Sequence, residues 1–379
     1  MFLCSLLSRI CACSEDRLLQ LKGRRVSKKP KKYQPKDVEK GTHIENRVKS
    51  TQGTDSAAKV QLFDFVLVPV QRFLTLFLWR TRMNRLEEIR LNSLQDSWVI
   101  MYTFLAKELL EKGGFQGEIA LREAIRRFGK DRGLTNRKRL LDNSIKINLA
   151  TLFCEGRDRP GEARFICYNT FEDEEEYSLC THICSYADVW KKYNSKAIGR
   201  IYCEEFHIAC YEAFGFGVTK VNLARSLTQD GDDRCIFNHT LRPENMTAEE
   251  RKLCFARFDP DYKKPEKEMP KPQGKDGFNM LWIKMYYYML ECAVEKLSDL
   301  GRTIIGCGLR VTAHEQAKFF LQEAESTERL IDRQYLVDHL PLDLNPDEDP
   351  YWKTYNQYGA LDLLKKTFYA PLLKEVGLE

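Results

Sequence analysis

At 379 residues, 43% hydrophobic and 30% charged, the chain is long enough to bury two lobes and reads as a globular protein. Its 60 basic and 55 acidic side chains leave a net charge of only +5. That balance excludes the concentrated basic face a nucleic-acid partner requires. Thirteen cysteines without one C-x-x-C pair exclude a small disulfide scaffold, a zinc ribbon and a thioredoxin-type site. They point to reduced thiols in a cytoplasmic protein.

The first 13 residues, MFLCSLLSRICAC, are apolar but short for a signal peptide and lack a basic segment in front. Residues 1–56 then carry Lys, Gly, Ser and Thr with no sustained apolar period, and read as a disordered basic tail. The most hydrophobic run, Gln61 to Trp79, is interrupted by Asp64, Pro69, Gln71 and Arg72, so it is no membrane span. An amphipathic helix docked on the core is expected. Arg80, Arg82 and Arg85 behind it make weak peripheral membrane contact through 61–79 the alternative.

A domain over 57–242 follows. From Leu86 to Lys112 apolar residues recur at steps of three and four, and Gly113-Gly114 ends that helix. Further helices are expected over Gly117–Gly133 and Asn136–Phe153. After the charged turn Glu155–Glu162 the character changes. Ala163–Phe171 and Glu175–Cys184 carry aromatic and β-branched residues around an acidic turn, a hairpin signal. A helix over 197–214 ends at Gly215 and Gly217. Two more strands, Gly217–Leu227 and Arg234–Leu241, flank an Asp-Gly turn. The fold class is therefore α+β, with N-terminal helices packed on a small antiparallel ββαββ core. Residues 243–275 read as a linker with one short helix, Ala248–Phe258, and 276–379 as a C-terminal helical lobe with helices over 279–297, 301–323, 327–340 and from Tyr358.

The helical lobe resembles the start of the chain. With Trp98 set on Trp282, seven of 29 positions are identical, including Tyr102/Tyr286, Glu111/Glu295, Gly117/Gly301 and Arg126/Arg310. The pattern predicts a repeated helical hairpin whose second copy lacks the cysteine-bearing part.

Residues that can do chemistry concentrate between Cys180 and Arg242, which holds five of the 13 cysteines and three of the 6 histidines. Cys203 and His207 lie one helical turn apart, the spacing that lets a thiol meet an imidazole and yield a nucleophilic thiolate. The bland reading is a small buried cysteine and a satisfied polar group. Cys180, His182 and Cys184 alternate along a strand and share a face, which with Cys203 or His207 would suit a soft metal. None has a recognised ligand spacing, so no metal and no cofactor are assigned. Cys235 and Phe237 share one face of the last strand. Cys180 and Cys210 read as packing. G-x-S-x-G, G-x-G-x-x-G and P-loop patterns are absent, which removes serine-hydrolase and nucleotide-binding readings.

Several of these pieces resemble the L-2-amino-thiazoline-4-carboxylic acid hydrolase family. They are Glu118-Ile119-Ala120-Leu121-Arg122-Glu123-Ala124-Ile125 with Phe128-Gly129 and Arg132-Gly133, then Cys184 with Tyr186-Ala187. Ile201-Tyr202-Cys203 with Phe206-His207 and Phe214, and Gly231-Asp232-Asp233-Arg234-Cys235-Ile236-Phe237, complete the set. His207 stands where the pattern has Asp, and Gly215 where it has Asn. The resemblance spans Leu86 to Arg242. It implies a hydrolase acting on a C–N bond of a small cyclic amidine or thiazoline-like substrate. Cys203 would be the nucleophile and His207 its base, with Cys184, Cys235 and His182 at the substrate. The ββαββ cysteine pattern is also similar to small-molecule-sensing domains of the 4-vinyl reductase type, which keeps a non-catalytic binding protein, or a metal-binding protein, as the alternative. The oligomeric state is left open.

Overall fold

A single bend in a long helix sets the architecture. In the computed structural model, which describes residues 85–156, 158, 164–266, 269–270 and 274–379, helix α1 runs from Arg85 to Asp142 and breaks at Gly114 (φ 54°, ψ −138°). Glycine adopts that conformation without a Cβ penalty. The second arm then folds back on the first at Gly117, where a Cβ would sit 1.9 Å from the Leu109 carbonyl oxygen. The basic tail and the 61–79 helix expected from the sequence lie outside the described residues.

The expected helix over 136–153 is divided. Its first part completes α1, and Asn143 to Asn148 turn the chain, with Ser144 at φ 56°. Asn148 then caps a short helix α2 (Leu149–Cys154) in a reciprocal capping box with Thr151. The capping signal N-x-x-T was present in the sequence, and the helical period running through it concealed the stop.

Strands β1 (Ile166–Glu172), β2 (Glu176–Ile183), β3 (Lys220–Arg225) and β4 (Cys235–Thr240) form one antiparallel sheet in the order β1-β2-β4-β3. The expected helix is α4 (Lys196–Phe214), and a further helix, α3 (Ser185–Lys192), precedes it. The α+β class and the antiparallel hairpins are as the sequence implied. Tyr177, Leu179 and Thr181 of β2 pair with His239, Phe237 and Cys235 of β4. Alternation therefore gives these residues one face of the sheet, and Cys180 and His182 the other. The first face meets helices: Phe153 of α2 stacks on Tyr177 at 4.1 Å, and Tyr211 of α4 meets His239 at 4.9 Å.

The segment expected as a linker packs rather than spans. Helix α5 (Ala248–Cys254) is followed by a 3₁₀ turn at Ala256–Phe258, and Met246, Cys254, Phe255 and Met269 join the core beneath the sheet with Ile147, Tyr177 and Phe214. Lys252, Lys263, Lys264, Pro260 and Pro270 face solvent, while four apolar anchors hold the segment down.

Helices α6 (Lys275–Leu297), α7 (Asp299–Ser326), α8 (Arg333–His339), α9 (Ala360–Leu364) and α10 (Ala370–Glu375) follow, α9 and α10 joined by a π-helical turn at Lys365–Tyr369. Asn84–Glu379 form one compact unit, in which α6 and α7 pack against α1. The hairpin repeat is visible in the backbone. Ser298, 184 residues after Gly114, breaks the α6–α7 hairpin with φ 54° and ψ −134°. Gly301 closes it as Gly117 closes the first, its Cβ position lying 2.0 Å from the Ala293 carbonyl oxygen.

Candidate functional site

Close packing of α4 against α1 decides where the cysteine–histidine pair points. Tyr202, Phe206 and Cys210 form the buried stripe at i, i+4, i+8. Glycines of α1 admit that stripe: a Cβ on Gly133 would lie 2.1 Å from the Cys210 carbonyl oxygen, and one on Gly129 3.0 Å from that of Phe206. Helix α3 locks the other end, with the Trp190 ring only 2.2 Å from the Cβ position of Gly199. With that stripe turned to α1, Cys203 and His207 are turned to the sheet, where His207 meets the edge of Phe237 at 4.6 Å.

Both residues line a cavity of about 380 Å³ between α4 and β3. Val221 and Leu223 of β3 give it an apolar wall, and Ser226, Gln229 and Asp232 of the β3–β4 loop form the other side. Arg200 and Arg225 stand at its rim, each with a carboxylate: Arg200 Nε is 2.6 Å from Glu204 and Arg225 3.6 Å from Asp233. The loop is fixed by its own polar groups. The Ser226 amide donates to Asp232 (3.0 Å), the Ser226 and Thr228 hydroxyls bond each other (2.7 Å), and the Leu227 amide donates to Cys235 Sγ (3.2 Å).

Burial raises the Cys203 thiol well above the ordinary thiol range, and the neighbouring Cys184 and Cys235 push it the same way. A hydrogen bond with Thr228 opposes them. The same burial pulls the His207 imidazole down to about 3, helped by His239 and Arg132. Burial also raises the Cys235 thiol, against the Leu227 amide and Ser226. A desolvated thiol and a desolvated imidazole each keep the neutral form. Among the described residues no hydrogen bond joins Cys203 to His207, and His207 Nδ1 is buried without a partner.

Of the five residues singled out in the sequence, Cys203 and His207 face one cavity. Cys184, at the start of α3, and Cys235, at the start of β4, lie close enough for their charges to act on the Cys203 thiol, but neither is among the residues lining the cavity. His182 lies on the other face of the sheet, its Nε2 3.6 Å from Cys180 Sγ and 3.2 Å from the Tyr168 hydroxyl, with the Tyr168 ring stacked on it. The shared face expected for Cys180, His182 and Cys184 with Cys203 or His207 therefore does not form. The β2 alternation stops at Ile183, and the sheet separates Cys180 and His182 from α4. Among the described residues no group of three or more His, Cys, Asp or Glu side chains is arranged to hold a metal ion.

The sequence did not single out Arg200, Arg225, Thr228 or His239 as site residues. The arginines looked like ordinary surface charge and Thr228 like a turn residue, and only the sheet register brings His239 near α4. Arg132 carried a signal, standing beside Gly133 in the helical motif. It is buried, paired with Asp158 at 2.6 Å and laid over the Phe206 ring at 4.9 Å.

No helix among the described residues is long and apolar enough to cross a membrane. No curated relative and no solved structure matches the chain. A family model does: residues 97–239, the stretch that holds the α1 glycines, the sheet, α4 and the cysteines around it, match the model of the L-2-amino-thiazoline-4-carboxylic acid hydrolase family.

Proposed function

We propose that the domain hydrolyses a C–N bond in a small cyclic amidine or thiazoline-like acid held beside Cys203. The observation that carries this reading is the cavity of about 380 Å³, in which a thiol and an imidazole from one helix face a fixed polar loop. Its size suits a molecule of one ring, and the arginines at its rim suit a carboxylate.

In this mechanism Cys203 Sγ attacks the ring carbon between the two heteroatoms. No charged partner preforms a thiolate, so the thiol proton leaves as the S–C bond forms. Neutral His207 is in the protonation state that accepts it, directly or through one water. The imidazolium then protonates the departing ring nitrogen as the C–N bond breaks. Water, deprotonated by His207, cleaves the thio-linked intermediate and restores the thiol. Thr228 holds Cys203 in place, and Arg200 or Arg225 exchanges its carboxylate partner for that of the substrate.

One observation favours a second reading, a non-catalytic small-molecule-binding or sensor domain: both groups are neutral and no hydrogen bond links them. Ring opening of 2-amino-thiazoline-4-carboxylate, followed with the intact protein and with Cys203→Ala and Cys203→Ser, separates the two. The hydrolase reading expects turnover that falls at least about a hundredfold in both variants, the scale of losing an acid–base or nucleophilic group. Binding measured by calorimetry without turnover in the intact protein selects the sensor, and full turnover by Cys203→Ala removes the nucleophile.

A further inference from the structure

The two helical hairpins agree in more than sequence. Their breaks fall at Gly114 and Ser298 with nearly one backbone conformation, and their closures at Gly117 and Gly301 exclude a Cβ in the same way. Both second arms end at equivalent positions, Asp142 and Ser326. The buried stripe Ala120, Leu121, Ala124, Ile125 recurs as Ile304, Ile305, Gly308, Leu309. The match extends to a later helix in each half: the Tyr102 hydroxyl donates to the Ile198 carbonyl in α4, and its equivalent Tyr286 to the Ala360 carbonyl in α9.

The hairpins also touch at equivalent positions. The Cβ position of Gly113 lies 3.1 Å from Cδ1 of its equivalent Leu297, and Trp98 Nε1 donates to the carbonyl of Leu281, one residue before its equivalent Trp282, whose own Nε1 is buried without a partner among the described residues. These levels are 15 residues apart on α1, or about 22 Å at 1.5 Å per residue. Contact of a position with its own equivalent, or with the residue beside it, at two levels along two helices is what an approximate twofold axis parallel to them produces.

We propose that α6–α7 is a second copy of the α1 hairpin occupying, within one chain, the place of the partner in a twofold helical dimer. The inner surface of α1 is then a self-association surface, and the occupant that fits it is a copy of itself, supplied in cis. The C-terminal lobe carries no second site. With Ile198 set on Ala360, Lys365 stands in the position of Cys203 and Tyr369 in that of His207; Lys365 binds Asp347 at 2.6 Å and the Tyr369 hydroxyl donates to the Asp343 carbonyl at 2.5 Å. The chain thus has one reactive helix for two helical lobes. This inference is independent of the reaction proposed above.

The test replaces residues 275–326 of the full chain by a second copy of residues 91–142, their equivalents. A control uses residues 89–140, the same hairpin shifted by two positions, which turns its buried stripe away from α1. If the surface is homotypic, the in-register variant unfolds in one cooperative thermal transition and light scattering gives the monomer mass near 44.4 kDa of the parent, while the shifted variant shows no such transition. The proposal is overturned if both variants fold, if neither folds, or if the in-register variant folds only as a dimer.

Discussion

Arg132 and Asp158 form two hydrogen bonds of 2.6 Å each, with both side chains buried. The pair sits directly behind α4, because the Arg132 guanidinium also covers the Phe206 ring. Breaking a buried pair leaves an uncompensated charge, whereas removing both partners does not. Asp158→Asn is therefore expected to cost about 3–5 kcal/mol of stability, and Arg132→Met with Asp158→Leu markedly less. Urea unfolding monitored by tryptophan fluorescence measures both, and equal losses would contradict the charge argument.

Acid should destabilise the protein through its buried histidines. The His207 imidazole is held down to about 3 and that of His239 to about 4, in both cases chiefly by burial. An unfolded histidine titrates near about 6.5. Between those values the unfolded chain binds protons that the folded chain does not, so stability is full above about pH 6.5 and falls as pH drops toward 3. His207→Gln should reduce this slope by at most about 1.4 kcal/mol per pH unit. Denaturant midpoints at pH 7 and pH 5 for the two proteins give the comparison, and an unchanged slope would place His207 in solvent.

The hydrogen bond from Thr228 is the contribution that lowers the Cys203 thiol against its burial. Thr228→Val removes the hydroxyl with little change in shape. The thiol should then rise further, the thiolate fraction fall, and alkylation of Cys203 at pH 8 slow by up to about tenfold, the scale of a hydrogen bond to a charged group. Peptide mass spectrometry after timed iodoacetamide treatment resolves this thiol from the others. Faster alkylation would show that the hydroxyl shields the sulfur rather than stabilising its anion.

Ser298 occupies a backbone conformation that its equivalent fills with glycine. A side chain at φ 54° and ψ −134° is strained. Ser298→Gly is expected to raise stability by about 1 kcal/mol and Gly114→Ser to lower it by at least as much. Thermal unfolding of the two variants provides the measurement, and a destabilised Ser298→Gly would mean that the serine side chain earns its place by an unseen contact.

Much of the framework was legible in the residues. The three- and four-residue steps before Gly113 and the Asp-Gly turn at Gly231 are local signals, each read by neighbours in sequence, and the hairpin repeat showed in identities at a constant offset. The α+β class followed from them, and the motifs from Glu118 to Phe237 carried the resemblance that the match over residues 97–239 supports. The stop at Asn143–Asn148 was not separable from the helical period around it, and α3 lay hidden between a strand and a longer helix.

For the site, sequence spacing alone put Cys203 and His207 on one helix, because helical periodicity is local. Which way that helix faces was decided by close contacts between distant segments: Gly129 and Gly133 against Cys210, and Trp190 against Gly199. The same holds for the sheet. Alternation placed His182 and Cys180 together, but only strand pairing and helix packing determined that their face lies away from α4 while Cys235 lies toward it. The charge state of the pair belongs wholly to the tertiary structure. Spacing offers a thiol and an imidazole, and the loss of water around both keeps each neutral.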